Sequence, residues 1–456
     1  MAGIGFELRK LLRTDSLFGL LRAYAYAGII SAGPWILSIS GLIAIGIFSS
    51  NVAVPNILVT QFQVTVTWIM ALTLILTGPL QLSFTRWVSD RLFEKRQDIV
   101  LPNFVGALLL VQLVAGGFAL VFFGLLVEGA TPVYRAAAIA GFVVTADIWI
   151  ATIFLSGLKY YKSIVALFTL GYGVSVLAAY LLRSLGTEGL LAGWVAGQAM
   201  MLLAMFTLVA RNFRSTEFVR LDFLKPGAMY PALIWIGLLY NTAIWADKFV
   251  FWLHPLTGST VLAPMRASVV YDLPIFLAYL SIVPGMAVFL MRFETDFVDT
   301  YDRFYNGVRG GASLGEIARM RDRMVLSIRT GLADIFKVQA ITLLAMSAFA
   351  PTIFGWFGIP TLHLPLFYVD AVAASFQVLL LAVMNVLFYL DRRRENLVLM
   401  VTLVLSVPLL SWFSIGLGAR FFGYGFALAM LLTLLLGIQL MNRVLGRLEY
   451  ETFMLQ

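Results

Sequence analysis

Residues 23–85 read AYAYAGIISAGPWILSISGLIAIGIFSSNVAVPNILVTQFQVTVTWIMALTLILTGPLQLSFT, 63 consecutive positions without a charged side chain. About 20 apolar residues suffice for a helix to cross the ~30 Å hydrocarbon core of a bilayer. The stretch therefore holds two membrane spans joined by a neutral turn near Ser49–Pro55. The same reading extends along the chain. Further apolar runs cover 99–127, 136–158, 163–182, 189–210, 226–253, 267–291, 338–354, 365–390, 397–419 and 421–442, giving twelve helices. The expected fold class is an all-α polytopic membrane protein of about twelve transmembrane helices. Composition agrees: 61% of the 456 residues are hydrophobic and 12% charged, against about 25% charged in ordinary soluble domains. A soluble globular enzyme is excluded.

Lys and Arg set the expected orientation. Every second connection, taken with both termini, carries 26 of the 32 basic residues. The excess of positive charge on one side marks it as cytoplasmic, so both termini are expected there. The net charge of +8 follows from this bias and calls for no nucleic-acid partner. By chain position, residues 1–22 form a basic amphipathic segment on the inner leaflet, followed by an N-lobe (23–210, spans 1–6). A cytoplasmic linker (211–225) leads to a C-lobe (226–442, spans 7–12), and residues 443–456 form a cytoplasmic tail. The one sizeable polar segment, 292–330, has 13 charged residues among 39. It reads as two short amphipathic helices about the glycine-rich break at Asn306–Ser313, lying on the membrane surface or serving as a platform for a partner.

Charges within spans are costly, at least ~2.5–3.5 kcal/mol each at the bilayer centre, and so should face protein or a hydrated cavity. The candidates are Asp147 in span 4, Asp247 and Lys248 in span 7, Asp272 in span 8 and Asp370 in span 10. Tyr240 with Asp247, Asp272 with Tyr279 and Asp370 with Gln377 stand seven positions apart, on a shared helix face. Such stripes suit a hydrated path for sugars. Asp247 and Lys248 are neighbours, about 100° apart around the helix, and cannot both be centred on one narrow face: either one pairs with a neighbouring helix while the other faces the path, or Lys248 and one of the aspartates form a buried pair that only fixes helix register. Breakers recur inside spans at Gly33–Pro34, Gly78–Pro79, Pro231, Pro274, Pro284–Gly285 and Pro408, as in transporters whose helices bend. Gly78–Pro79 followed by Arg86 and Asp90 matches Pro284–Gly285 followed by Arg292 and Asp296, a trace of two six-span halves.

Catalytic signatures are missing. The sequence has no Walker-type loop and no dinucleotide fingerprint. It has no cysteine and two histidines, His254 and His363, too few for thiolate or imidazole metal sites. No cofactor, metal or catalytic residue is expected.

The opening Met-Ala-Gly-Ile-Gly-Phe-Glu-Leu-Arg-Lys-Leu-Leu, with Ser31–Ala32–Gly33–Pro34–Trp35 in the first span, resembles the PelG family of exopolysaccharide transporters in Gram-negative biofilm formers. The resemblance implies a flippase-like fold of the multidrug/oligosaccharidyl-lipid/polysaccharide superfamily, with two six-helix lobes around a central cavity. It also implies a polysaccharide substrate rich in N-acetylgalactosamine, a PelF-like cytoplasmic glycosyltransferase, and PelD- and PelE-like membrane subunits as partners. Lipid-linked sugar flippases tend to have a cationic lumen, whereas the deep charges here are mostly aspartates, which favours a neutral or weakly cationic glycan. Two other readings of the same chain are an ion-coupled multidrug antiporter and a non-transporting scaffold for a synthase.

Overall fold

The computed structural model describes residues 17–50, 56–356 and 359–454. Most of the expected N-terminal segment 1–22 lies outside the described residues. The helices are α1 (Leu17–Ser50), α2 (Asn56–Phe93), α3 (Val100–Ala119, extended by π-turns over Leu120–Leu126), α4 (Pro132–Gly157), α5 (Tyr161–Leu182) and α6 (Thr187–Asn212). They continue with α7 (Pro231–Leu253), α8 (Asp272–Arg309), α9 (Leu314–Trp356), α10 (Leu364–Tyr389), α11 (Arg393–Gly416), α12 (Tyr424–Gly446) and a short α13 (Leu448–Met454). Among the described residues, eleven helices are long and apolar enough to span a membrane. The twelfth, α7, has the length at 23 residues but carries Asn241, Asp247 and Lys248. The chain is a multi-pass membrane protein.

Two compact units emerge. One is Pro34–Val269; the other joins the chain before Pro34 to that from Val270 onward. Compactness thus divides the chain inside α1, at Gly33–Pro34, and just before α8, whereas the lobes expected from the repeat divide it at the 211–225 linker. In the first unit α2 packs on α4 and α7, and α5 on α6. The α5–α6 contact depends on small residues: a Cβ at Gly193 would lie 2.3 Å from the Ala179 nitrogen, and one at Gly197 2.2 Å from Ser175 Oγ. Close backbone approach of this kind is how helices associate where lipid removes the hydrophobic drive. In the second unit α12 packs on α10 and α11, and α8 on α9 and α10.

Three local expectations change. Span 8 was placed from residue 267, but a two-stranded hairpin, β1 (Ser259–Leu262) with β2 (Met265–Ala267), comes first and the helix starts at Asp272. Arg266 closes this hairpin by donating to Gly258 O (2.7 Å) and Leu253 O (3.2 Å), and Trp68 Nε1 donates to Arg266 O (2.8 Å). Secondly, 292–330 does not form separate surface-lying helices. Its halves are continuations of α8 and α9, joined by a turn with Gly311 at φ +69°. At 1.5 Å per residue the 43-residue α9 is about 65 Å long, twice the hydrocarbon thickness, so its charged first half stands clear of the bilayer. Thirdly, the matched motifs of the repeat form matched ion pairs: Arg86–Asp90 at 3.1 Å and Arg292–Asp296 at 2.8 Å.

The helical hairpin is tied internally. Phe304 is buried, as are Ile317, Met324 and Ile328 on α9. Arg292 also reaches Asp334 (2.7 Å) and Arg321 reaches Glu449 of α13 (3.0 Å). Glu316 reaches back to Ser313 as in the glutamate half of a capping box: the Ser313 backbone N–H (3.0 Å) and hydroxyl (2.8 Å) both donate to Glu316 Oε2. These bonds hold the Glu316 carboxyl below its usual range. A lowered folded-state value means the cap is present above the ordinary carboxylate range and is lost only as pH falls through the lowered value. Ser313→Ala is expected to speed amide exchange over the first turn of α9 about fivefold, on the order of a lost cap, with the rest of α9 unchanged. Hydrogen-exchange mass spectrometry at neutral pH reads this, and equal exchange in the variant would contradict the cap.

Candidate functional site

The eight residues expected along a hydrated path fall in both units. In the first, Asp247 and Lys248 are both buried on α7. Of the two arrangements open to them they adopt the buried pair: Lys248 Nζ lies 3.0 Å from each carboxylate oxygen of Asp247 and donates to Ile244 O (3.1 Å). The four-carbon stem is long enough to bring the ammonium back over its neighbour despite the 100° between their Cβ directions. Trp245 lies beneath, its ring centre 5.8 Å from Nζ, and Trp252 stacks on Trp68 at 5.2 Å. Tyr240, two turns earlier on α7, is half-buried.

Asp147 on α4 is 1% exposed. Gln112 Nε2 of α3 donates to its Oδ2 (2.6 Å), while Oδ1 makes no hydrogen bond to the described residues. In the second unit, Asp272 is the first residue of α8, where the helix dipole favours a carboxylate. Tyr279 is buried two turns on, at the end of that helical segment. Asp370 is fully buried on α10. It lies against the start of α12: a Cβ at Gly423, the residue preceding that helix, would be 2.7 Å from Asp370 Oδ1. Gln377, two turns along α10, is buried too. Three of the four aspartates thus have a compensating charge or helix terminus beside them, and Asp147 has one neutral amide.

A polar ladder escaped the sequence reading. On α2, Thr73, Thr77 and Gln81 follow at four-residue spacing and are buried. Trp149 Nε1 of α4 donates to Thr73 Oγ1 (3.0 Å), Gln81 Nε2 to Thr77 Oγ1 (3.0 Å), and Asn241 Nδ2 of α7 to Gln81 Oε1 (3.0 Å). Beside the last bond, α2 and α7 meet backbone to backbone: a Cβ at Gly237 would lie 2.1 Å from Gly78 O. The i,i+4 threonine run was the available signal. In the second unit Gln339 Nε2 of α9 donates to Ser375 Oγ of α10 (3.1 Å), and Gly285 of α8 faces Gln339 with no room for a Cβ.

At the basic-loop end of the first unit, the 211–225 linker is folded onto α3. Asn103, fully buried, donates to Asp222 Oδ2 (3.1 Å) and accepts from the Asp222 backbone N–H (2.7 Å). Arg220 N–H donates to Pro102 O (3.0 Å). A cavity of about 330 Å³ opens between the end of α2 and this linker. Among the described residues no three His, Asp or Glu side chains gather as a metal ion would require.

Long helices with polar groups buried in them, eleven of them apolar enough to span a membrane among the described residues, suit a polytopic membrane transporter. Solved structures agree. An outward-facing multidrug resistance MATE family transporter of the MOP superfamily superposes with a TM-score of 0.65 at 14% identity, over 93% of this chain and 96% of that one. A MATE protein in its straight conformation gives 0.59 at 14% identity, over 94% and 96%. A MOP superfamily transporter from Pyrococcus furiosus gives 0.56 at 14%, over 93% and 96%. No curated protein matches the chain. The model of the PelG exopolysaccharide exporter family (EPS-E) matches residues 1–453, and the chain belongs to that family.

Lys248→Met leaves the Asp247 carboxylate buried without its ammonium, a loss on the order of 3–5 kcal/mol for a broken buried pair. The single variant is expected to lose most of its monodisperse protein on heating in detergent, and the double variant Asp247→Asn/Lys248→Met to regain most of it. Size-exclusion chromatography after a temperature ramp measures both. A single variant as stable as the parent would remove the pair from the account.

Proposed function

We propose that the protein translocates an exopolysaccharide across the bacterial inner membrane, from cytoplasm to periplasm, as a step in building a biofilm matrix. The observation that carries the reading is the family match over residues 1–453; the transporter fold supports it. The polymer is Pel-like and rich in N-acetylgalactosamine, a substrate with many hydroxyls and no pyrophosphate. Buried aspartates rather than cationic side chains suit such a glycan. Both termini and the Lys- and Arg-rich connections lie in the cytoplasm, in keeping with the positive-inside bias. Energy comes from polymerisation on the cytoplasmic face or from an ion gradient. A PelF-like glycosyltransferase and PelD- and PelE-like subunits are its partners, and the projecting hairpin made by 292–330 is where they dock.

A second reading, ion-coupled multidrug antiport, draws on Asp147, whose Oδ1 makes no hydrogen bond to the described residues. Such a carboxylate is suited to take up a proton or sodium ion. Deleting the gene in a polymer-producing strain separates the readings. Polymerising activity in isolated membranes should persist while surface polymer disappears, and drug susceptibility should stay unchanged. Normal surface polymer in the deletion strain would refute export by this chain, and drug hypersensitivity with normal polymer would favour antiport.

A further inference from the structure

The cavity between the end of α2 and the linker is lined by four cations and one carboxylate: Arg91, Arg96, Arg220, Lys225 and Asp222, with Trp87 at its inner wall. Asp222 offsets only part of this charge. Its oxygens are taken by Lys225 Nζ (2.6 Å), by Asn103 Nδ2 (3.1 Å) and, more distantly, by Arg220 (3.7 Å). Lys225 beside it holds its carboxyl below the ordinary range, so it stays ionised at neutral pH. Arg220 is clamped on its other side by Glu217, and Arg91 reaches Glu94 (2.9 Å); neither glutamate lines this cavity. Two donors are left over. Arg91 Nε is buried and makes no hydrogen bond to the described residues, and Arg96 forms no ion pair among them. The Arg91 guanidinium is held 5.8 Å from the centre of the buried Trp87 ring, which fixes its plane.

We propose that this pocket binds a phosphate group. Forked guanidiniums with an ammonium are the donor set that phosphate oxygens match, and about 330 Å³ falls within the range of small-molecule sites, enough for a phosphate and the group esterified to it. The pocket lies at the end of a span on the Lys- and Arg-rich side, the level at which anionic headgroups are recognised by basic pockets. The phosphate is that of an anionic lipid or of a soluble phosphoester. The inference is independent of which polymer or drug the protein moves.

The test uses the full-length protein purified in a neutral detergent and, in parallel, in nanodiscs. Inorganic phosphate and pyrophosphate are titrated in detergent, and nanodiscs of phosphatidylcholine are compared with nanodiscs containing phosphatidylglycerol, with the unfolding midpoint read in each. Stabilisation in detergent identifies a soluble phosphate ligand; stabilisation only with phosphatidylglycerol identifies a headgroup. In either arm Arg96→Gln/Lys225→Gln should weaken the effect about tenfold in the concentration required, and Arg96→Lys/Lys225→Arg should retain it. Both altered positions are exposed, and the unfolding midpoints without phosphate or anionic lipid establish that the variants fold. No stabilisation in either arm, or stabilisation indifferent to loss of the two charges, overturns the proposal.

Discussion

Inside a bilayer no water is present to satisfy a polar group, so each one has to find its partner within the protein. That constraint organises the first unit around α2 and α7. Bare backbone at Gly78 and Gly237 lets the two helices touch, and contact at that range brings the Asn241 amide to Gln81. Gln81 in turn completes Thr77, and Thr73 receives Trp149 from α4. Nearly two turns beyond Asn241, Asp247 and Lys248 neutralise each other on the same helix. Were the ammonium to point elsewhere, a bare carboxylate would remain at a cost of several kcal/mol. The same logic places Asp370 against the start of α12 and Asp272 at the start of α8, where helix dipoles favour negative charge. Asp147 stands apart because its one partner, Gln112, is neutral.

Helix length imposes a second constraint. Only about 20 residues of α8 and of α9 can lie in hydrocarbon, yet these helices run for 38 and 43 residues. The surplus leaves the bilayer as a paired extension, capped by Ser313 and Glu316 and tied to α13 through Arg321 and Glu449. An amphipathic stretch that would lie flat on a membrane if separate stands upright when the spans continue into it, because its apolar face is then buried against its partner helix. Phe304, Ile317, Met324 and Ile328 form that face.

Most of the fold was legible in the sequence because charge is so sparse. Runs nearly free of Asp, Glu, Lys and Arg mark the spans, and outside the long extensions of α2, α8 and α9 the boundaries they set lie close to the helix ends. What escaped was whatever depends on continuity or on long-range partners. Residues 292–330 have the composition of surface helices, and composition is blind to whether a helix carries on from its neighbour. The hairpin at Ser259–Ala267 is too short for alternation to announce it. At the site, the deep aspartates were readable as costly residues, but their partners were not: Gln112 lies 35 positions from Asp147, and Gly423, 53 positions from Asp370, precedes another helix. At Asp247 and Lys248 the residues alone left a buried pair and a divergence both open, because helical angles describe Cβ directions, whereas a long side chain is free to return.

A multi-pass chain with eleven helices long and apolar enough to span a membrane among its described residues, holding few charges and belonging to an exopolysaccharide exporter family, is, on this account, itself the conduit. Efflux from proteoliposomes tests that most directly. Vesicles containing the purified full-length protein and loaded with fluorescently labelled N-acetylgalactosamine oligosaccharides should release them down their gradient faster than protein-free vesicles, while a co-encapsulated dextran of larger size stays inside. Retention of the oligosaccharide at the protein-free rate would contradict the account.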